Sequence, residues 1–473
     1  MNDKKKLLKI ESKRRKNPGY YTEVDRSCLC VVPESVRILE LGCSTGRLLA
    51  ATRASFGLGI DINEEHIAAA REIHAQRSEL EFRVGDVEQF DFSGMEPFDY
   101  IIISDVLPIL RDVQKTLANL HAVCNSHTRI IITYHSNVWR PVINLAALLK
   151  RCDPPPSYNW LSTNDIENLL RLAGFEPVTH FGRILIPLRI PVISRVMNRF
   201  LSQMPLFNSL CLAWTIVARP SPKPISQKDM QAKHSASILI PTRNEKGNIE
   251  AAFTRTPNLG EWTELIFVDG QSDDGTCEEI KRCIEKYGHQ WHRVLLLEQT
   301  GTGKGQAVRQ GFAQCKGDIL MILDSDLTMP PEEITKYYNA LVASKGEFIN
   351  GCRLVYPMEK ESMRFLNMIA NHIFAKLFTW LLGQRIKDTL CGTKVLWRRD
   401  YEKIALNREY FGDFDPFGDF DLLFGASRLN YKIIDMPIRY QERSYGDIKI
   451  KRWKHGWLLL RMSLVAFRKL KLR

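Results

Sequence analysis

The sequence predicts two consecutive α/β domains, each built on a mostly parallel sheet. Three observations predict it. Short runs rich in Ile, Val, Leu and Phe alternate with helical stretches along both halves of the 473 residues, and strands alternating with helices imply parallel sheets covered on both faces. Between Ala218 and Ser235 the chain holds Pro220, Pro222 and Pro224 and then a polar run without apolar periodicity, the composition of a linker. The content of 44% apolar and 25% charged residues is ordinary globular usage, which excludes wholesale disorder and a collagen-like repeat. A mean hydropathy of −0.21 excludes a polytopic membrane protein.

The expected organisation is a basic tail over 1–25, a first domain over 26–219, a linker over 220–235, a second domain over 236–448 and a basic amphipathic segment over 449–473. Of the net charge of +12, residues 1–18 hold +6 and residues 449–473 hold +9, which leaves the body at −3. Basic ends on a near-neutral body fit an anionic surface such as a membrane better than a nucleic-acid groove. Eleven scattered cysteines with no C-x-x-C pair read as reduced thiols of a cytosolic compartment and not as a zinc site. The N-terminal MNDKKKLLKIESKRRK has charge but no apolar core, so no signal peptide is expected.

In the first domain VRIL, FGLGID, LEFRVG, FDYIIIS and TRIIITY read as strands. Glu40-Leu-Gly42-Cys43-Ser44-Thr-Gly46 lies between the first strand and the helix start RLLAA. Glycines there let a ligand approach the backbone, and the helix start offers free N–H groups. The spacing is G-x-x-x-G, so a dinucleotide cradle is not favoured. Asp61 ends the second strand, Asp86 the third, and Ser104 with Asp105 the fourth. All face the crevice outside the carboxyl ends of the strands, where ligands of open α/β sheets bind. His135 and Tyr134, after the fifth strand, are candidate bases.

This run resembles the class I S-adenosylmethionine-dependent methyltransferases, with Ser44 in place of the middle glycine of their first motif. The resemblance implies a Rossmann-like fold with S-adenosylmethionine held by Glu40, Gly42, Cys43 and Gly46 at the methionine end. Asp61 would hold the ribose and Asp86 the adenine, with Ile62, Val87 and Ser104 also among the cofactor-binding residues. The methyl acceptor is not legible.

In the second domain the strand SILIP ends in Pro241-Thr-Arg243-Asn-Glu245, and LIFVD ends in Asp269 before Asp274-Gly275-Thr276. Gly301-Thr-Gly303-Lys304-Gly305 lacks the first glycine and the final Ser/Thr of a phosphate loop. Asp324-Ser325-Asp326 follows the apolar strand Ile319–Leu323. Residues i and i+2 of an extended chain point to one side, so both carboxylates can converge on one hard cation such as Mg²⁺ or Mn²⁺.

The order of these motifs resembles glycosyltransferase family 2 with its GT-A fold, and within it the dolichol-phosphate-mannose-synthase-like group. The resemblance implies that Pro241, Arg243, Glu245, Asp269, Lys304 and Ser325 border a nucleoside-diphosphate sugar and that Asp324 and Asp326 hold the metal. It places Asp419 and Asp421 at the acceptor or a metal-linked water, one of them as base if the acceptor is a hydroxyl, puts Arg353, Arg364, Arg443 and Lys449 on phosphates, and implies inversion at the anomeric carbon. Thr328 stands where that group often carries Gln. Asp388 reads as a helix cap, and Arg428 and Arg439 as surface charges.

Arg364–Gly383, with four polar interruptions, reads as an amphipathic helix lying in a membrane interface. The C-terminal segment adds Trp453 and Trp457 among cations. The sequence therefore predicts a two-domain transferase, peripheral on the cytosolic membrane face. Its second half would glycosylate a polyprenyl phosphate and its first half would methylate an unidentified acceptor. No nucleic-acid partner is expected, and homo-oligomerisation is left open. The alternative is transfer to a saccharide hydroxyl in polysaccharide assembly, with the first domain a non-catalytic binding module.

Overall fold

The computed structural model describes residues 18–149, 159–188, 190, 192–223, 234–356, 365–410, 418–443, 445 and 452–472. The chain forms two compact units that meet in sequence at Ser221 and Pro222. Each is a seven-stranded mixed sheet flanked by helices.

The first unit has β1 (Arg37–Leu41), β2 (Phe56–Asp61), β3 (Leu80–Val84), β4 (Tyr100–Ser104), β5 (Arg129–His135), β6 (Phe175–Arg183) and β7 (Ala213–Pro220), in the order β3-β2-β1-β4-β5-β7-β6. β1 to β5 are parallel, and β7 runs antiparallel to both neighbours. The pleat sends alternate residues to opposite faces. Leu39, Leu41, Ile101 and Ile103 enter one core, and Ile38 and Ile102 enter the other. The strand order reverses between β1 and β4, which opens a crevice at their carboxyl ends. The helix Pro18–Leu29 belongs to this unit, with Tyr20, Val24 and Cys28 buried. This corrects the expected tail over 1–25: from Pro18 onward the chain is a packed helix.

The second unit has β8 (Ala236–Thr242), β9 (Thr263–Asp269), β10 (Arg293–Glu298), β11 (Ile319–Ile322), β12 (Phe348–Cys352), β13 (Lys394–Trp397) and β14 (Ile433–Pro437), in the order β10-β9-β8-β11-β13-β12-β14. The first four in that order are parallel, and β13 opposes β11 and β12. At the amino ends of these strands the fully buried Glu264 accepts from the Ser237 hydroxyl at 2.5 Å and the Lys316 amide at 2.6 Å, and pairs with Arg293 at 2.7 Å. A buried carboxylate persists only when so satisfied.

The helix Phe365–Leu382 departs from the expected interfacial helix. Over its described side chains, Asn371, Ala375, Phe378, Leu381 and Leu382 are buried, and Phe378 stacks among Phe420 and Phe424. Thr379, one of the four polar interruptions, bonds the backbone of Ile386 in both directions at 3.0 Å. Leu459 and Met462 of the helix Arg452–Ala466 join the same core, while Trp457, Leu460 and Leu464 stay exposed. Arg428 is not a surface charge either: its guanidinium lies 3.4 Å over the Tyr410 ring. Among the described residues no helix is long and apolar enough to cross a membrane, and their cysteines are all free.

Asp400 is buried in this unit. Burial, then the charge of Glu347, push its carboxyl up to about 6, against Arg399, Lys403 and Tyr431. Between about pH 4 and 6 the folded chain holds a proton that the unfolded chain has released. Stability therefore falls as pH rises through that window, by about 3 kcal/mol in all. Asp400→Asn removes the penalty: in thermal melts at pH 8 the variant should unfold several degrees above the native chain, and near pH 4 the difference should vanish.

Candidate active sites

The first site collects at the carboxyl ends of β1, β2 and β4. Gly42 and Gly46 adopt φ of 73° and 71°, and a side chain on Gly42 would strike Val106, so glycine is required there. Gly42 donates its N–H to the Ile60 carbonyl at 2.7 Å. The turn places the Ser44 amide 2.8 Å from Asp61, which also accepts from Asn63 at 2.9 Å. Buried Glu40 accepts from the Leu49 amide at 3.0 Å, on the helix after the turn. Ile62 stands exposed beside Asp61. Asp86 accepts from the Glu88 amide at 3.0 Å, and Ser104 shares a hydrogen bond with Thr133 at 3.0 Å.

Two expected residues turn away. Val87 packs into the core, and Tyr134 points to the opposite face of the sheet, where its hydroxyl meets Thr163 at 2.6 Å. His135, one residue on, faces the crevice, stacked on Tyr20 with centroids 5.1 Å apart.

Tyr20 carries no motif and sequence reasoning missed it. Its hydroxyl donates to Asp105 at 2.9 Å. Burial, then the Asp105 charge, hold it protonated well above its ordinary range. Asp25, one turn further on the same helix, pairs with Arg47. The helix is thus tied down at two points over a cavity of ≈ 70 Å³ lined by Tyr21, Val24, Glu40, Gly42, Cys43 and Ser104. That volume holds about two waters. An adenosyl donor fits these polar groups in kind.

The second site sits at the carboxyl end of β11. Asp324 pairs with Lys304, at the start of the helix Lys304–Phe312. Asp326 accepts from Arg443 at 2.5 Å, and the same guanidinium lies 3.4 Å from buried Glu245. Burial alone would raise the Asp324 carboxyl; Lys304 first, then Lys394 and Arg353, bring it below the ordinary carboxylate range. Thr328 donates its hydroxyl to Asp326 at 2.8 Å and so orients that carboxylate. Ser325 is buried between the two acids. Asp269 accepts both the amide (2.9 Å) and the hydroxyl (2.5 Å) of Ser272, which also receives the Asn244 amide at 2.9 Å. These bonds join the loops after β8 and β9, with Pro241 at the end of β8 and Arg243 exposed beside it.

Arg353 was expected on a phosphate. It forks onto fully buried Asp388 at 2.7 and 2.9 Å, so Asp388 is an ion-pair partner, not a helix cap. Burial would lift the Asp388 carboxyl, and this fork keeps it low. Asp421 accepts from Arg408 at 2.6 Å. Arg364, Lys449 and the side chain of Asp419 lie outside the described residues. Two contributors were missed. Lys394 is fully buried and reaches the Cys391 carbonyl; a lysine opening an apolar strand was the available signal. Gly392 packs against the Lys304–Asp324 pair so closely that a Cβ would overlap both charged groups.

The donors fit a hard divalent cation: two carboxylates on one loop suffice where substrate phosphates and water complete the shell. Among the described residues no cluster of three or more His, Cys, Asp or Glu could hold a metal unaided.

Residues 237–408 match the glycosyl transferase family 2 model and residues 33–173 a methyltransferase domain model. The dolichol-phosphate mannosyltransferase of Pyrococcus furiosus is 28% identical over 46% of this chain and 59% of its own length. That of Saccharomyces cerevisiae is 37% identical over 22% and 40%. The undecaprenyl-phosphate 4-deoxy-4-formamido-L-arabinose transferase of Enterobacter sp. (strain 638) is 26% identical over 46% and 64%. The chain thus spans between 40% and 64% of the length of these relatives. A SAM-dependent methyltransferase structure from Thermotoga maritima aligns with TM-score 0.37 at 16% identity, over 45% of this chain and 95% of its own.

Two outcomes are expected. Gly392→Ala should part the Lys304–Asp324 pair and, in an assay of the sugar transfer proposed below, lower the rate roughly 10-fold, with little change in the melting temperature. Tyr20→Phe should speed amide exchange over residues 18–29 about fivefold, the worth of one hydrogen bond, as read by hydrogen exchange with mass spectrometry.

Proposed function

We propose that the second unit transfers a sugar from a nucleoside diphosphate to a polyprenyl phosphate at a membrane surface, with inversion and with a divalent metal. The first unit would be an S-adenosylmethionine-dependent methyltransferase. The chain carries a glycosyl transferase family 2 domain and a methyltransferase domain, and named relatives of the former act on dolichol or undecaprenyl phosphate. The observation that carries the reading is the pairing of Asp324 with Lys304 and of Asp326 with Arg443, each cation arriving from another part of the fold.

In this reading Glu245 and Asp269 border the nucleoside. Lys304 and Arg443 put two cations where the diphosphate lands, and Asp324 and Asp326 would hold Mg²⁺ or Mn²⁺. Such an ion, when bound, neutralises charge on the leaving diphosphate. An ionised phosphate oxygen of the acceptor attacks the anomeric carbon, and the bond to the diphosphate breaks, its electron pair leaving with the nucleotide. No base is required. That suits Asp421, whose pairing with Arg408 leaves it ill-placed to take a proton from a hydroxyl. The exposed Trp457, Leu460 and Leu464, beside Arg461 and Arg468, support contact with a lipid interface.

The test supplies radiolabelled nucleotide sugars, a short polyprenyl phosphate and Mg²⁺ or Mn²⁺, followed by organic extraction. Label should enter the organic phase with the native chain and fall at least 100-fold with Asp326→Asn. Nucleotide release with all label left in water would move the acceptor to a saccharide hydroxyl.

A further inference from the structure

The first unit carries an exposed apolar surface that its donor site does not use. It comes from two segments. In the helix Arg140–Leu148 and the residue after it, Val142, Leu145, Leu148 and Leu149 are exposed, Leu148 at 79%. In the stretch between β6 and β7, Leu188, Val192, Ile193, Leu206 and Leu210 are exposed, Leu206 at 84%. Soluble surfaces rarely gather so many large apolar side chains in one place.

The sheet brings the two segments together. His135, which ends β5, pairs with Ala213, and so does Arg183, which ends β6. Trp139 donates its indole N–H to the Leu210 carbonyl at 2.7 Å, and Ile143 packs toward Ile184 and Leu212. Both segments therefore leave the sheet at the end where Ser104 pairs with Thr133 and where Tyr20 meets Asp105. The apolar rim borders the mouth of the adenosyl-donor site.

The charges are one-sided. Residues 136–150 and 184–212 contain no Asp or Glu, and they contain Arg140, Lys150, Arg189, Arg195 and Arg199. Beside the rim a cleft of ≈ 290 Å³ runs between the helix Pro18–Leu29 and the stretch after β6. Arg26, Arg195 and Arg199 line it together with Ile184, Ile186 and Leu188. Glu23, the one acid lining it, is already paired with Arg26 at 3.1 Å. Guanidinium groups suit phosphate oxygens, and apolar side chains beside them suit the acyl chains below a headgroup.

We propose that the methyltransferase unit docks this rim on an anionic lipid surface, with a lipid phosphate in the arginine cleft. The donor site then opens at the membrane, and the methyl acceptor belongs to the class of polar groups carried on a membrane lipid. This docking is separate from any contact that the second unit makes with lipid.

The test is hydrogen exchange read by mass spectrometry on the full chain. Vesicles of phosphatidylcholine with phosphatidylglycerol are compared with vesicles of phosphatidylcholine alone. The expected result is slowed exchange over 138–149 and 188–210 on the anionic vesicles only. The double variant Leu148→Glu/Leu206→Glu should abolish that protection while exchange elsewhere in the lipid-free protein stays native. Arg195→Gln/Arg199→Gln should weaken it about fivefold per charge removed. Protection confined to residues 452–472 would overturn this proposal and leave the membrane reading of the second unit standing. Protection at the rim with none at 452–472 would do the reverse. Equal protection on both vesicle types would overturn the anionic docking. So would rim protection that grows with protein concentration without lipid, alongside a dimer by light scattering, since the rim would then bind a second copy.

Discussion

Two carboxylates on one loop repel each other, and everything around Asp324 and Asp326 answers that constraint. Each receives one cation, Lys304 for the first and Arg443 for the second. Those cations come from chain segments 20 and 117 residues away, so the pair forms only once the sheet and its flanking helices have closed. The remaining polar groups serve the same end. Thr328 fixes the rotamer of Asp326, Gly392 leaves room for the Lys304 ammonium, and Lys394 adds charge from below. In a low-dielectric setting such pairs are costly to break one partner at a time. The arrangement is therefore intolerant of single losses.

The first unit solves a related problem with backbone instead of side-chain cations. The carboxylates of Glu40, Asp61 and Asp86 are satisfied by the amides of Leu49, Ser44, Asn63 and Glu88. Parallel strands make this possible, because the turns leaving their carboxyl ends point amides back over the crevice. The consequence is a rigid floor, and the closing element must come from elsewhere. The helix Pro18–Leu29 supplies it, held by Tyr20 on Asp105 and Asp25 on Arg47.

Much of this was legible in the chain. The strand runs, the seam near Pro220 and the acidic residues at strand ends follow from periodicity 2 and from turn chemistry, which are local properties. What was not legible depends on partners remote in sequence. Asp388 reads as a helix cap until β12 and the loop before β13 bring it to Arg353. The Phe365–Leu382 helix has the composition of an interfacial helix, and only the aromatic residues Phe420 and Phe424 make it a core helix. Tyr20 lies outside every motif, and its role comes from a bond across 85 residues.

The two units differ in how they treat apolar surface, and the difference bears on how each meets its substrate. In the second, the described part of the long helix that composition would send to lipid buries Ala375, Phe378, Leu381 and Leu382, while Ile373, Leu406, Trp457, Leu460 and Leu464 are exposed on separate helices. In the first, the central strands β1, β4 and β5 are buried almost throughout, while the two segments leaving the carboxyl end of the sheet keep large side chains in solvent. A core can always absorb a leucine at a gain of about 1.5–3 kcal/mol. Leaving many of them outside, acid-free and fringed with arginine, therefore argues for a surface that covers them during function. The two segments leave the sheet at the end where Ser104 meets Thr133 and Tyr20 meets Asp105.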